Sequence, residues 1–344
     1  MSLDERFLQA IIENPDDDAP RLVYADWLEE RGDPRGEFIR VQCQLARLPD
    51  NDSARPAFVQ REHDLLAAHE EQWVAPLRPL LFDQPLPTDE FCPPLMERAW
   101  QFRRGFVERV ALRVSAFLER ADEVFRLAPV RGVWFAFDQA EGEDVTGKDH
   151  AKLAGSPFLA RLETLDLSGH TFDGDVAGTH ALLTSPHLAD LRHLYLRYGF
   201  GMDDCGFVER QTLELLCSGK YLRHLTRLDL SLNEYVSRDI NVFVTTPGLP
   251  ALRHLCLRGV FLGAEGTRTL ATSASLGRLR ELDLSCNDIG DAGAEALAAA
   301  PHLASLTRLV VSRGQWYYEA QDIMTEAGLS VLKQRFGEAV VFVD

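Results

Sequence analysis

Two short stretches of the sequence resemble motifs that bind nucleotide or metal. Gly142-Glu-Asp-Val-Thr-Gly147-Lys148 has the glycine and lysine spacing of a phosphate-binding loop. Asp149 follows where the magnesium-binding Ser or Thr would stand, and two carboxylates within the loop would repel phosphate. His69-Glu-Glu-Gln-Trp73 begins like a zinc-binding HExxH motif, but Trp73 replaces the second histidine ligand. The zinc site cannot form from these residues, and the Gly142–Lys148 stretch is interpreted as a solvated loop rather than a phosphate-binding one.

The remaining chemistry-bearing residues show no catalytic or metal-ligating spacing. No CxxC pair occurs and no histidine stands at ligand spacing, so the cysteines are interpreted as free thiols. The six cysteines are Cys43, Cys92, Cys205, Cys217, Cys256 and Cys286. Asp16-Asp-Asp18 is interpreted as negative charge at a helix start rather than a calcium site. No Ser/His/Asp or Cys/His arrangement follows from spacing, so we expect no catalytic residue, no metal and no cofactor. The chain is predicted not to be an enzyme.

Composition and charge narrow the possible partners. The 344 residues are 46% hydrophobic and 26% charged, the balance of a folded chain. Fifty-three acidic residues against thirty-six basic ones leave a net charge of −17, without a basic run that could attract nucleic acid or anionic lipid. No apolar run is long enough to cross a membrane, and the N-terminus lacks the features of a secretory signal. We therefore expect a cytoplasmic protein that binds neither nucleic acid nor membrane.

An internal repeat organises most of the chain. Leu279-Arg-Glu-Leu-Asp-Leu-Ser-Cys-Asn-Asp-Ile289 follows the pattern LxxLxLxxNxL, and the same frame recurs at intervals of 27 to 34 residues. The central leucines of the six frames are Leu165, Leu194, Leu228, Leu255, Leu282 and Leu309. Weaker copies surround Val110 and Val133, and Val340-Val-Phe-Val343 is predicted to be a last strand that closes the array.

Each frame predicts a short strand, a turn and a helical stretch. The pattern and its period resemble the ribonuclease-inhibitor-like class of leucine-rich repeats. One unit cannot bury its own apolar face, so the units must stack on their neighbours. The predicted fold is α/β, a curved parallel β/α solenoid (a leucine-rich repeat horseshoe) preceded by a small all-helical N-terminal domain. Asn233 and Asn287 keep the consensus asparagine of the turn, and the other frames lack it.

The first 75 residues have a different pattern. Ser2 to Glu5 forms a capping box, and apolar residues at helical spacing indicate about four helices before Trp73. Phe7 to Arg40 resembles the bacterial repeat-companion domain, with Tyr24-Ala-Asp-Trp-Leu-Glu-Glu-Arg-Gly-Asp-Pro-Arg-Gly-Glu37 as its signature. Arg103-Arg-Gly-Phe-Val-Glu-Arg-Val110 is also similar to the segment that leads into the repeats of such proteins. The resemblance implies a bacterial origin and this architecture, and it implies no reaction.

Proline composition places the domain boundary. Six prolines occur between positions 76 and 94, which favours extended backbone there. Phe82, Phe91 and Leu95 indicate that this segment lies against a surface. The predicted domains are therefore 1–75, a helical repeat-companion domain, 76–97, a Pro-rich linker, and 98–344, the leucine-rich repeat domain.

The concave face of the repeat sheet is the candidate binding site, because stacked strands align their outward side chains into columns. Aromatic residues and arginine dominate interface hot spots, and Trp134, His193, Tyr195 and Arg197 are expected to form an exposed patch. The predicted partner-binding residues are Trp134, Asp166, His193, Tyr195, Arg197, Arg227, Asp229, His254, Arg258 and Asp283.

The predicted function is a non-enzymatic scaffold for a protein partner with a basic or mixed-charge surface, steered by Asp166, Asp229 and Asp283. Two alternative functions remain open: a regulator of a GTPase, which would need an arginine exposed at a repeat edge, and a hydrolase with an unrecognised site. For Trp134 the alternative is a structural role, in which the Pro-rich segment or the helical domain covers it. The loop that carries Trp316-Tyr317-Tyr318 is an alternative recognition element.

Overall fold

The structure is a computed structural model of the chain. It describes residues 2–84, 96–136, 147–170, 176–197, 208, 210–218, 220–233, 235–246, 249–314 and 323–343. These residues form two compact units, one that ends at residue 136 and one that begins after it.

The first unit combines four helices with three strands and a fifth helix. Its elements are α1 (Leu3–Glu13), α2 (Asp18–Glu29), α3 (Arg35–Arg47), α4 (Arg55–Val74), β1 (Trp100–Arg103), β2 (Phe106–Leu112), α5 (Val114–Leu127) and β3 (Gly132–Phe135). The predicted capping box starts α1, because the Glu5 amide donates to Ser2 Oγ at 3.1 Å and the Ser2 amide donates to the Glu5 carboxylate at 2.7 Å. Asp17 caps α2 by accepting from the Ala19 amide at 2.8 Å.

The signature over residues 24–37 builds the core of this unit. Tyr24 is buried and stacks on Phe106 of β2, with ring centroids 6.1 Å apart. The Arg35 guanidinium lies 4.8 Å from the centroid of the same Phe106 ring, and the Arg31 guanidinium lies 3.9 Å from that of Trp27. Aromatic and cationic residues of the signature therefore pack within this unit.

The 103–110 segment contributes the hairpin that docks on these helices. β1 pairs antiparallel with β2, and the turn at Gly105 has φ +89°. The Gly105 amide donates to Gln42 Oε1 of α3 at 2.6 Å. Arg21 of α2, fully buried, donates to the Glu108 carboxylate at 2.6 Å. The two signatures therefore interlock through buried polar contacts as well as apolar ones.

The first unit extends past the boundary that the sequence predicted. β2 pairs in parallel with β3, with Val110 opposite Val133, as expected for the two weak repeat copies. Phe82 of the proline-rich stretch is buried and its amide donates to the Ala111 carbonyl at 2.9 Å, whereas Phe91 and Leu95 lie outside the described residues. The observed division follows residue 136, because the helices share a core with the hairpin strands.

The second unit repeats a strand-and-helix element in chain order. Its strands are β4 (Thr164–Asp166), β5 (His193–Tyr195), β6 (Arg227–Asp229), β7 (His254–Cys256), β8 (Glu281–Asp283), β9 (Arg308–Ser312) and β10 (Val340–Val343). Its helices are α6 (Gly147–Ala154), α7 (Val176–Leu183), α8 (Arg210–Cys217), α9 (Tyr235–Arg238), α10 (Val242–Thr245), α11 (Gly263–Ala271), α12 (Gly290–Ala299) and α13 (Glu326–Phe336).

Each strand of this unit pairs in parallel with the next, in the register that the sequence predicted. The six central leucines face one another in turn and are at most 2% exposed. Val340 pairs with Leu309, so the predicted last strand is confirmed. Burying such leucines contributes about 2 kcal/mol each, which explains why the alternation dictates the register.

Candidate functional site

The outward residues of strands β4 to β9 form two aligned columns. Thr164, His193, Arg227, His254, Glu281 and Arg308 make the first column, which begins each strand. Asp166, Tyr195, Asp229, Cys256, Asp283 and Val310 make the second column, two residues later. The columns confirm the predicted alignment of these residues, and they hold seven of the ten predicted site residues. The other three are Arg197 and Arg258, which follow strands, and Trp134, which lies in the first unit.

The aspartates of the second column serve the ends of their own strands. In Asp166-Leu-Ser168, Asp229-Leu-Ser231 and Asp283-Leu-Ser285, the serine amide donates to the aspartate Oδ1 at 2.9 to 3.0 Å. The Ser231 and Ser285 hydroxyls add donations at 2.5 and 2.6 Å. These serines are buried rather than exposed, so this repeated Asp-x-Ser turn stabilises the strand ends.

Arg197 lies within ion-pair distance of two of these carboxylates. Its Nη2 lies 3.5 Å from Asp166 Oδ2, its Nε lies 3.9 Å from Asp229 Oδ2, and the same Nε donates to Ser168 Oγ at 3.1 Å. Burial raises the pKa of both Asp166 and Asp229, with Arg197 and the serines acting in the opposite direction. The carboxylates are therefore committed to contacts within the sheet.

The expectation of an exposed aromatic patch is wrong. Tyr195 is 7% exposed, Arg197 8% and Asp166 2%, while Trp134 of the first unit is 6% exposed. His193 is half-buried, and its Nδ1 lies 3.1 Å from Thr164 Oγ1. For Arg197 the physical reason is that its guanidinium group contacts Asp166, Asp229 and Ser168 of neighbouring repeats, and its guanidinium carbon is 5.8 Å from the Tyr195 ring centroid. Steering of a basic or mixed-charge partner by Asp166 and Asp229 is not supported either, since both carboxylates contact Arg197 within the sheet.

The accessible part of the columns lies around Arg227, His254 and Glu281. Arg227 Nη2 is 3.4 Å from Glu281 Oε2, and His254 Nε2 is 3.7 Å from Glu281 Oε1. Burial lowers the pKa of His254, and the positive charge of Arg227 acts in the same direction. Because the Glu281 carboxylate contacts two cationic or potentially cationic groups, this cluster presents a mixed-charge surface with donors in excess.

Cys256 lies between two aspartates of the second column. Its Sγ is 3.0 Å from Ser231 Oγ, and its register partners are Asp229 and Asp283. Burial, together with the negative charge of both aspartates, raises the pKa of this thiol well above its usual range. A thiol held protonated is a poor nucleophile, so the arrangement favours a structural role.

Turns that keep the consensus asparagine are bonded as expected for the repeat. Asn287 Nδ2 donates to the carbonyls of Leu257, Leu284 and Ser285 at 2.6 to 3.1 Å. Its Oδ1 accepts from the amides of two residues in the preceding turn, at positions 260 and 262. Asn233 makes the same three donations, to residues 196, 230 and 231.

A family profile described as Leucine Rich repeat matches residues 221–237 and 279–298. The two matched stretches hold β6 and β8 with their central leucines, and they are the two that keep Asn233 and Asn287. The chain contains leucine-rich repeats. No curated protein matches the chain.

The other motifs add no chemistry to the leucine-rich repeats. His69 and Trp73 are neighbours on α4 with ring centroids 5.5 Å apart, and no set of three metal-ligating side chains gathers anywhere in the described ranges. Most of the Gly142–Lys148 stretch and the Trp316-Tyr317-Tyr318 loop lie outside the described residues. Among the helices that the structure describes, none has the length and apolar character needed to cross a membrane.

One set of residues in the leucine-rich repeats escaped the sequence analysis. It consists of four arginines that begin strands β7 to β9 or stand at most three residues before them: Arg253, Arg278, Arg280 and Arg308. A charge count restricted to the residues before each central leucine would have found them. The chain-wide net charge conceals them, because the acidic residues lie elsewhere.

Proposed function

We propose that this protein is a non-enzymatic scaffold that binds a protein partner on the outward face of its repeat sheet. Leucine-rich repeat domains generally mediate protein–protein interaction, and stacked repeats offer extended surfaces for it. The observation that carries the proposal is the pair of aligned columns, whose accessible residues are held by a rigid parallel sheet. In a curved solenoid of the ribonuclease-inhibitor-like class, this face is the concave one.

The accessible residues of the face would make the contacts. Arg227, His254 and Glu281 lie at its centre, and Arg258 and His193 are half-exposed nearby. Asp166, Tyr195, Arg197 and Asp229 would act as the support beneath them, and Asp283 would do so through its bonds to Ser285. Trp134 of the first unit is proposed as a packing residue of its own unit.

The bacterial origin and the repeat-companion identity of the first 75 residues belong to the same proposal. The interlocked signatures at 24–37 and 103–110 support them, since both contribute to one core. A cytoplasmic location is consistent with the free thiols found at the four described cysteines. Binding to nucleic acid or membrane is not part of the proposed function.

Capture of the native partner tests the proposal. Tagged full-length protein and the double variant Arg227→Ala/His254→Ala would be compared in cell extract, with bound proteins quantified by mass spectrometry. We expect the variant to capture about tenfold less of a specific partner than the unmodified protein does, because the substitutions remove two central hydrogen-bond donors. The control Arg268→Ala/Glu295→Ala changes two exposed helix residues and should retain it. Equal retention by both variants would place the interaction elsewhere.

The GTPase regulator remains the second candidate. It requires an arginine exposed at the edge of a repeat, and Arg308 is exposed with no carboxylate within 4.0 Å among the described residues. If the captured partner hydrolyses GTP, adding this protein should raise the rate of phosphate release, and Arg308→Ala should abolish that increase. An unchanged rate of phosphate release would exclude the GTPase regulator, and the scaffold would remain as the proposed function.

A further inference from the structure

The charge of the repeat domain is unevenly distributed along its strands. Six stretches of seven residues, each ending at a central leucine, lead into strands β4 to β9: 159–165, 188–194, 222–228, 249–255, 276–282 and 303–309. Together they contain eight arginines and three carboxylates, whereas the whole chain carries a net charge of −17. This margin of the sheet is thus positive on an otherwise acidic protein.

Among the described residues, five of the eight arginines have no carboxylate oxygen within 4.0 Å: Arg223 and four that lie near the start of strands β7 to β9. Arg192 and Arg227 pair with Glu163 and Glu281 at 3.5 and 3.4 Å. The proposal concerns the four arginines near the start of strands β7 to β9, none of which has a carboxylate oxygen of the described residues within 4.0 Å. These are Arg253, Arg278, Arg280 and Arg308, which we name the arginine edge. Arg278, Arg280 and Arg308 are exposed and Arg253 is half-exposed.

Backbone contacts hold two of these side chains in place. Arg278 Nη1 donates to the Pro250 carbonyl at 2.8 Å, and Arg280 Nη1 donates to the Ser305 carbonyl at 3.1 Å. Each contact spans to an adjacent repeat and occupies one of the five N–H donors of the guanidinium. The remaining donors are positioned with part of their conformational entropy already lost, which favours bidentate binding of a carboxylate.

The register places Arg253 and Arg280 in neighbouring positions before strands β7 and β8, and Arg308 begins the next strand. The Glu281 amide donates to the Arg253 carbonyl and the Arg308 amide donates to the Arg280 carbonyl, so consecutive repeats place these residues side by side. Strands β7 to β9 span about 10 Å at ordinary strand spacing. The positive charge of Arg253 also contributes to the lowered pKa of the adjacent His254, after burial and Arg227.

We propose that the arginine edge binds an acidic segment of a partner protein, whose aspartate or glutamate side chains pair with Arg253, Arg278, Arg280 and Arg308. This inference rests on the proposed function, because it names the chemistry of the partner that the repeat sheet binds. It replaces the partner of basic or mixed charge expected from the sequence with an acidic one. The reason is that the acids of the sheet are used internally while these arginines are not.

A short peptide segment fits this edge better than a nucleic acid does. Three strands can accommodate a few carboxylates, and the protein as a whole is acidic, with a net charge of −17. A nucleic acid carries its charges at regular intervals over a longer distance, so it would extend into that acidic surface and be repelled. The described arginine edge also lacks exposed aromatic residues on which bases could stack.

Fluorescence anisotropy with defined probes tests the proposal on the full-length chain. The probes are a labelled peptide of alternating glutamate and alanine, the same peptide with glutamine for glutamate, and a single-stranded DNA oligonucleotide of equal charge. We expect the glutamate peptide to bind, the glutamine peptide not to bind, and the affinity to fall as salt is raised. Arg280→Gln/Arg308→Gln should weaken binding about tenfold.

The matched control removes the same charge from two helices. Arg268→Gln/Arg335→Gln on α11 and α13 should leave the affinity for the glutamate peptide within about twofold, since interactions between distant exposed charges are screened. Urea unfolding of both double variants verifies that they are folded. Equal weakening by the two variants, or no binding of the glutamate peptide, overturns the proposal. Tighter binding of the oligonucleotide, lost in the edge variant, overturns it in favour of a nucleic acid.

The result can be separated from that for the proposed function. If the glutamate peptide does not bind but Arg227→Ala/His254→Ala still loses the native partner, the proposed binding face is supported and the proposed acidic segment is wrong. If the peptide binds at the edge and the native partner is unaffected by Arg227→Ala/His254→Ala, the edge is the binding site and the sheet face is not.

Discussion

A buried pair of histidines is the most unusual residue-scale feature of the repeats. His170 stands where Asn233 and Asn287 stand in later repeats, and its Nδ1 lies 3.2 Å from His150 Nε2 on α6. His150 Nδ1 lies 3.2 Å from Thr179 Oγ1 on α7. Both rings are buried and stack with centroids 5.5 Å apart. The pair joins two helices to the turn by hydrogen bonds, and at least one of the two rings must be neutral to accept the bond between them.

This pair should make stability depend on pH. Burial lowers the pKa of His150 from 6.5 to about 3, with repulsion by His170 acting in the same direction and Asp149 opposing it. Between these values the unfolded chain binds the proton and the folded chain does not, so stability falls as pH falls, by about 1.4 kcal/mol per pH unit. His150→Gln should remove that slope from urea-unfolding free energies measured across the window. The exposed His224→Gln should keep it, and an unchanged slope in both variants would contradict the assignment.

The turn asparagine is expected to contribute more than any single surface residue. Asn287→Ala would remove five hydrogen bonds and leave buried backbone groups of the preceding repeat without partners. We expect a loss of about 3 kcal/mol or more in the free energy of unfolding. Asn241→Ala is the control, because Asn241 is exposed and its side chain does not cap α10. Similar losses of unfolding free energy at both positions would show that the hydrogen bonds of Asn287 contribute little to stability.

At the scale of elements, docking of the β1–β2 hairpin on α3 depends on one glycine. A Cβ at Gly105 would overlap the Ile39 side chain and lie 2.8 Å from the Ile39 Cα, and the φ of +89° disfavours any other residue. Gly105→Ala should therefore destabilise the first unit by about 3 kcal/mol, through strain and separation of the hairpin from α3.

Gly32→Ala separates the two causes in the same unit. Gly32 has φ +71° and nothing within 4 Å of an added Cβ, so it should lose only about 1 kcal/mol from backbone strain. Thermal unfolding of both variants measures the difference. Equal shifts in melting temperature would mean that the hairpin is not held by its close approach to α3.

At the scale of the whole molecule, the repeats of the second unit should lose stability together. Leu228 is fully buried in β6, and its strand donates to and accepts from β5 and β7. Leu228→Ala should cost about 2–5 kcal/mol in unfolding free energy. Because repeats depend on their neighbours, hydrogen exchange should accelerate in β5 and β7 as well as β6. Glu295→Ala on exposed α12 surface is the control, and acceleration confined to β6 would argue against this coupling.

The sequence by itself determined the repeat frame, the register of the central leucines, the last strand and the capping box of α1. These depend on residues a few positions apart, so hydrophobic alternation within one repeat is enough to predict them. Asn233 and Asn287 were recognisable for the same reason, since each bonds within its own turn and the one before.

Only the tertiary structure decided which outward residues are accessible. Arg197 is covered because it folds against Ser168 and lies between Asp166 and Asp229, which are about thirty residues away on neighbouring strands. Arg280 and Arg308 are exposed, and no carboxylate of the described residues lies within 4.0 Å of either guanidinium group. The strand spacing of about 4.8 Å makes every outward side chain a neighbour of residues one repeat before and after. Charge and exposure on the sheet are therefore properties of stacked repeats, which no single repeat sequence contains.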